Sequence, residues 1–179
     1  MLVAPAGAAN EPLRGLDVPI LVTISQRCIL HAPGADYPDA MVTVQQRVRV
    51  STTGRGFVNV TREVESVVAR SGVTTGLVHV FVRHTSASLV IQENADPAVL
   101  RDMLAWLDRV APENGHYEHD DEGPDDMPAH LKSAITKTSE TIPVTGGHLA
   151  LGTWQAIYLA EHRRAPHARE LVITVIGSG

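Results

Sequence analysis

The stretch TIPVTGGHLALGTWQAIYLAEH, residues 141–162, decides the fold class. Gly146-Gly147 stands between two alternating segments, and paired glycines suit the positive φ angles of a tight two-residue turn, so a hairpin is expected here. WQAIYLAEH and, beyond it, RELVITVIG keep strand character, so the chain from Glu140 onward reads as consecutive strands. Strands joined by such short turns pair antiparallel.

Upstream, the period changes several times. A short helix is expected from about Pro128 to Thr138, with Leu131, Ala134 and Ile135 inward. Asp96-Pro97 supplies another helix start, Asp as N-cap and Pro at the first helical position, followed by an apolar stripe of Leu100, Met103, Leu104, Leu107 and Val110. Residues 76–84 read as a strand that SLVIQE continues or reverses. Val60, Val64, Val67 and Val68 share one helical face, with Thr61 as N-cap, Glu63 in the first turn and Gly72 at the far end. In VTVQQRVRVST, Val42, Val44, Val48 and Val50 fall on one parity, as in a half-buried strand. VPILVTISQRCIL, residues 18–30, is strand-like, whereas HAPGADYPDA and the opening MLVAPAGAANEPLRG lack periodicity, the latter reading as a loosely attached tail. The order βαββααβββ implies an α+β class: a single domain with a mostly antiparallel sheet packed with helices on one side.

Bulk properties agree. A chain of 179 residues supports one substantial core, and with only 4% aromatic residues Val, Leu, Ile and Ala must fill it. A formal charge of −5 argues against a nucleic-acid binder. Seven acidic residues and no Lys or Arg occupy 113–126, a segment that binds cations or simply stays hydrated. Cys28 is the only cysteine, which excludes an intrachain disulfide, and no apolar run is long enough to span a bilayer; a cytoplasmic location without membrane partners is expected.

Three stretches carry chemistry. In RHTSASLVIQENADP, residues 83–97, His84 shares an ideal strand face with Val78, Val80 and Val82, while Thr85, Ser86 and Ser88 add hydroxyls. Glu93, Asn94 and Asp96 precede a helix N-terminus whose N–H groups favour an anion, although capping alone explains Asp96. HYEHDDEGPDDMPAH brings His116, His119 and His130 into an acidic setting, and His119 and His130 are the expected partners of His84 around a divalent ion. Three imidazoles suit Zn²⁺ with one open position; carboxylates would suit Mg²⁺. In the third stretch, Gly152 precedes Trp154, a large packing group, and Gln155, Tyr158, Glu161 and Arg163 either line a polar site or belong to a plain hairpin with one buried aromatic. His148, His162 and His167 read as surface or supporting residues. The P-loop, dinucleotide, HExxH and GxSxG signatures are absent.

Together, HTSASLVIQENADP, YEHDDEGPDDMPAHLKS and SETIPVTGGHLALGTWQAI resemble the YjbQ family, also called UPF0047, from about Met41 to Gly177. The resemblance implies a compact α+β homotrimer with a pocket near the subunit interface, where His84, His119 and His130 converge and hold a metal. It sets residues 1–40 apart as a partly disordered extension of a domain spanning 41–179, and it puts Ala95 where relatives can carry cysteine. It also implies a secondary thiamine-phosphate synthase, a transferase joining a pyrimidine pyrophosphate to a thiazole phosphate. The expectation is therefore a metal-dependent enzyme acting on a small, phosphorylated substrate. Asn94, Asp121, Gln155 and Glu161 would contact that substrate as catalytic residues, with Thr85, Ser86 and Asp96 binding the cofactor. The alternative is a non-catalytic trimeric protein that binds a metal or anion.

Overall fold

The structure, a computed structural model, describes the strand Val22–Leu30 and residues 41–179. The loose tail and the connection at 31–40 lie outside the described residues. Among those described are nine strands and three helices: β1 Val22–Leu30, β2 Met41–Ser51, β3 Gly56–Asn59, α1 Thr61–Ser71, β4 Thr75–Val82, β5 Ala87–Glu93, α2 Pro97–Val110, α3 Asp126–Ile135, β6 Ser139–Thr145, β7 His148–Leu149, β8 Gln155–Glu161 and β9 Ala168–Ser178. Every pairing is antiparallel, but the strands form two sheets where one was expected: a six-stranded sheet in the order β1-β2-β9-β4-β6-β7 and a three-stranded sheet in the order β3-β8-β5.

The alternation in β2 does what its parity predicts, burying Val42, Val44, Val48 and Val50 on the inner face of the larger sheet. Val78, Val80 and Val82 of β4, Ile142 and Val144 of β6 and Leu171, Ile173 and Val175 of β9 extend that face. Leu89 of β5 and Ile157 and Leu159 of β8 join the same core from the smaller sheet, and the Val64, Val67 and Val68 stripe of α1 packs into it. Gly146 and Gly147 take φ of 59° and 81°, the left-handed pair that the β6–β7 turn requires. Gly72, with φ of 74°, ends α1 as expected.

Three helix details differ from the sequence expectation. The N-cap of α1 is Val60; the Thr61 N–H instead donates to Asn59 Oδ1 and the Thr61 hydroxyl accepts from the Ile157 N–H, tying the helix to β8. In α2, Asp96 caps Ala98 N–H and Pro97 stands in the first turn, yet of the apolar stripe only Leu107 is buried, and Val110 and Trp106 are half exposed. In α3 the inward residues are Asp126, Pro128, Ala129, Lys132 and Ser133, while Ala134 and Ile135 face solvent. The face rotated because its polar members are paired: Lys132 Nζ, 1% exposed, donates to Asp108 Oδ1 of α2 at 2.7 Å, and Ser133 donates to the Ala87 carbonyl.

Candidate metal-binding site

The chain crosses from the large sheet to the small one between Val82 and Ala87. Val82 N–H still donates to Thr138 O and Arg83 N–H to Glu170 O, after which residues 83–86 leave the sheet carrying His84, Thr85 and Ser86. This crossing forms one side of the site. The other is the first turn of α3 with the acidic loop before it.

Asp126 opens α3 and His130 follows one turn later on the same face. His119 folds back from the loop. His119 Nε2 lies 2.8 Å and His130 Nε2 3.2 Å from the same oxygen, Asp126 Oδ2, and the two rings tilt toward each other with centroids 5.7 Å apart. Among the described residues, His119, Asp126 and His130 are those whose ligating atoms come within 4.8 Å of one another, as an ion would need. Asp126 is 2% exposed. Its other oxygen is held by Arg163 Nη1, and the same guanidinium donates to Asp125 Oδ2 and the Glu122 carbonyl. Burial raises the Asp125 carboxyl, but bonds from the Arg164 N–H and Arg163 outweigh it and hold that group below the usual carboxylate range.

The hydrogen bonds fix the tautomer of His130. Nδ1 lies 3.1 Å from the Thr85 carbonyl, which only accepts, so Nδ1 carries a proton. In a neutral ring Nε2 is then a bare lone pair aimed at a carboxylate oxygen. That contact is repulsive unless a proton or a cation lies between. A backbone carbonyl holding the far nitrogen of a metal-binding histidine is the usual supporting arrangement around an ion. Two imidazoles and one carboxylate match the donor set of open zinc sites better than that of magnesium.

His84 does not join this group within the chain. β4 ends at Val82, and the turn swings the ring so that Nε2 accepts the Glu170 N–H at 2.9 Å. The place expected for it is taken by Asp126. Burial, then the nearby Arg169, lower its pKa, leaving a neutral ring with its proton on Nδ1. It lines an open cleft of about 500 Å³ with Arg83, Thr85, Ser86, Thr138 and Arg169, and Thr85 links that cleft to His130.

The remaining site residues divide. Glu161, expected to contact substrate, is fully buried: its carboxylate accepts from both Nε and Nη2 of Arg169, from the Thr52 hydroxyl and from the Arg163 N–H. No acceptor capacity faces solvent, so its role is structural. Ser86 is also buried, accepting from Arg169. Asp96 is spent on its cap; Asn94 is exposed, with its N–H on Trp154 O. Asp121 is exposed, and Gln155 accepts from the Gly152 N–H. Trp154, expected to pack, is 64% exposed. His162, read as surface or supporting, is 1% exposed with Nε2 2.8 Å from Ser88 Oγ; burial and then Lys132 push its pKa down to about 4. Asp126 was not singled out in the sequence, because it is one of seven acidic residues at 113–126 that composition does not tell apart.

Two curled antiparallel sheets with three helices, and a His-Asp-His cluster at the crossing between them, define an α+β protein with a candidate metal centre. The family profile described as UPF0047 protein YjbQ-like matches residues 46–178, and the chain belongs to this family. A UPF0047 protein of Synechocystis is 53% identical over 134 residues, 74% of this chain and 91% of the relative. UPF0047 protein YjbQ of Escherichia coli O157:H7 is 45% identical over 134 residues, covering 74% and 97%. Among solved structures, a YbjQ-like protein from Sulfolobus solfataricus P2 superposes with a TM-score of 0.72 at 27% identity, covering 76% of this chain and 99% of that one. A YjbQ/UPF0047 protein from Clostridium acetobutylicum gives 0.68 at 38% identity, covering 72% and 98%. No helix among the described residues is long and apolar enough to cross a membrane.

Proposed function

We propose that the chain is a metal-dependent enzyme acting on a small, phosphorylated molecule, with Zn²⁺ held by His119, Asp126 and His130. The observation that carries this reading is the convergence of His119 Nε2 and His130 Nε2 on one oxygen of the buried Asp126, with the ligating atoms of all three within 4.8 Å of one another. Arg163 orients Asp126 and fixes the start of α3, Thr85 orients His130, and the half-exposed His119 closes the set from the loop. A bound ion of this kind supplies a Lewis acid that polarises a phosphoryl or carbonyl oxygen. The joining of a pyrimidine pyrophosphate to a thiazole phosphate is the first reaction to assay.

The reading includes a homotrimer. Its support is the outer face of the large sheet, where Leu77 stands beside Ile176 and Phe81 beside Val172, with Leu77, Phe81 and Ile176 between 41% and 50% exposed. His79 opposite Thr174 stands between the two apolar pairs, and exposed apolar side chains on a sheet face suit contact with another copy of the chain.

The test is elemental analysis of protein purified without chelator, together with Zn²⁺ titration of the stripped protein. About one Zn²⁺ per chain is expected, with affinity falling at least tenfold in Asp126→Asn and His130→Ala. Purified protein devoid of transition metal, with no calorimetric response to added Zn²⁺, refutes the reading.

A further inference from the structure

Two stretches singled out in the sequence, QENADP at 92–97 and GTWQ at 152–155, take no part in the His-Asp-His cluster, yet the fold brings them to one place. β5 and β8 pair so that Glu93 stands opposite Gln155 and Gln92 opposite Ala156. Asn94 N–H donates to Trp154 O at 2.9 Å, and the Tyr158 hydroxyl donates to Glu93 O at 3.3 Å. At the open end of this strand pair lies a cleft of about 520 Å³ lined by Ile91, Gln92, Glu93, Ala95, Trp154 and Gln155.

Its chemistry is specific. Trp154, at 64% exposed, is among the residues that line the cleft. The Glu93 side chain accepts no hydrogen bond and forms no ion pair among the described residues; only its backbone groups are engaged. Gln92 Oε1 accepts the Glu93 N–H at 2.9 Å and Gln155 Oε1 the Gly152 N–H at 2.8 Å, which leaves both side-chain NH₂ groups as donors. The start of α2 has nothing left for an anion: Pro97 has no N–H, Ala98 N–H goes to Asp96 Oδ1 and Val99 N–H to Asp96 O. An aromatic face, a carboxylate and two amide donors remain.

We propose that this cleft binds a planar nitrogen heterocycle bearing an amino group or a positive charge. Its ring stacks on Trp154, its donor edge meets the Glu93 carboxylate, and an acceptor on the ring or its substituent takes the NH₂ group of Gln155, which shares the Glu93 face. The site shares no residue with the metal cluster, so neither proposal depends on the other.

Trp106 and Trp154 are the two tryptophans. In a Trp106→Phe background, Trp154 fluorescence therefore reports the cleft alone. Cytosine, adenine and 1-methylnicotinamide are titrated, with uracil and inorganic phosphate as controls, each in the presence and absence of chelator. The expected result is saturable quenching by at least one of the first three and none by phosphate, unchanged by chelator. Glu93→Gln is expected to weaken it about tenfold, as loss of a charge-assisted hydrogen bond does. Calorimetry on Trp154→Ala is expected to show loss of binding with the melting temperature retained. Non-saturating quenching by all three probes overturns the proposal, as does unchanged affinity in Glu93→Gln or binding that disappears with chelator. Blue-shifted Trp154 emission shielded from acrylamide in the unliganded protein also overturns it, because another copy of the chain would then cover the cleft.

Discussion

Replacing Glu161 by Gln separates a structural role from a catalytic one. The carboxylate is fully buried and takes four hydrogen bonds: from Arg169 Nη2 at 2.5 Å, Arg169 Nε at 2.7 Å, Thr52 Oγ1 at 2.8 Å and the Arg163 N–H at 3.0 Å. Gln keeps the shape but removes the charge, and turns one acceptor into a donor facing a guanidinium that is itself 4% exposed. Leaving one partner of a buried ion pair uncompensated costs about 3 to 5 kcal/mol. In a chain of this size that lowers the melting temperature by roughly 6 to 20 °C. Glu161→Leu combined with Arg169→Met removes both charges and is expected to recover much of the loss. The assay is thermal and urea unfolding of the three proteins, with Zn²⁺ affinity measured alongside at a temperature where each is folded. The pair also predicts a pH signature. Burial raises the Glu161 carboxyl, but the Arg169, Arg163 and Thr52 bonds more than offset it and leave the folded pKa low. Its stabilisation is therefore complete above the usual carboxylate range and lost as pH falls through the lowered value, a limb that Glu161→Gln should flatten. A variant that melts within about 2 °C of the parent would refute the reasoning.

Three further outcomes are expected. His162, neutral in the fold with a pKa near 4, is protonated only in the unfolded chain between that pH and about 6.5. Stability should fall by roughly 3 kcal/mol as pH drops through this window; urea unfolding at pH 7 and pH 5 should show a smaller difference in His162→Gln. Leu107→Ala should cost about 2 to 5 kcal/mol, because Leu107 alone of its stripe is buried, and Leu104→Ala less than half of that. In Gly76→Ala, the new methyl would collide with the Ile176 carbonyl oxygen and the Gly177 Cα across the β4–β9 ladder, so soluble yield and melting temperature should both drop sharply.

Sequence periodicity revealed the elements whose burial is apolar. The β2 valines, the α1 stripe, the β6–β7 turn and the α2 start all follow from local rules, and the structure has each of them. What local rules miss is burial stabilised by partners distant in sequence. Lys132 and Asp126 turn α3 inward because Asp108 and Arg163 meet them, and neither partner lies in the helix. The split into two sheets was hidden because residues 83–86 carry no Gly or Pro where β4 gives way to β5. That crossing also explains His84: strand parity holds only while the strand lasts, and β4 stops two residues earlier. Of the expected ligand set, His119 and His130 do meet, around one of the seven carboxylates at 113–126 that the sequence did not tell apart.

β1 has a consequence beyond its own pairing. It runs antiparallel along β2 from Leu30 opposite Met41 to Val22 opposite Val48, outside the span that matches the family profile. Without it, β2 would be the sheet's terminal strand: eleven residues long, with alternate residues turning unpaired backbone donors and acceptors outward, and backed by four buried valines. Long bare margins of that kind recruit strands from other molecules. β1 thus acts as a selvedge, and a chain trimmed to residue 41 should pair β2 against β2 of a second copy, raising the mass measured by light scattering at concentrations where the whole chain's mass stays constant.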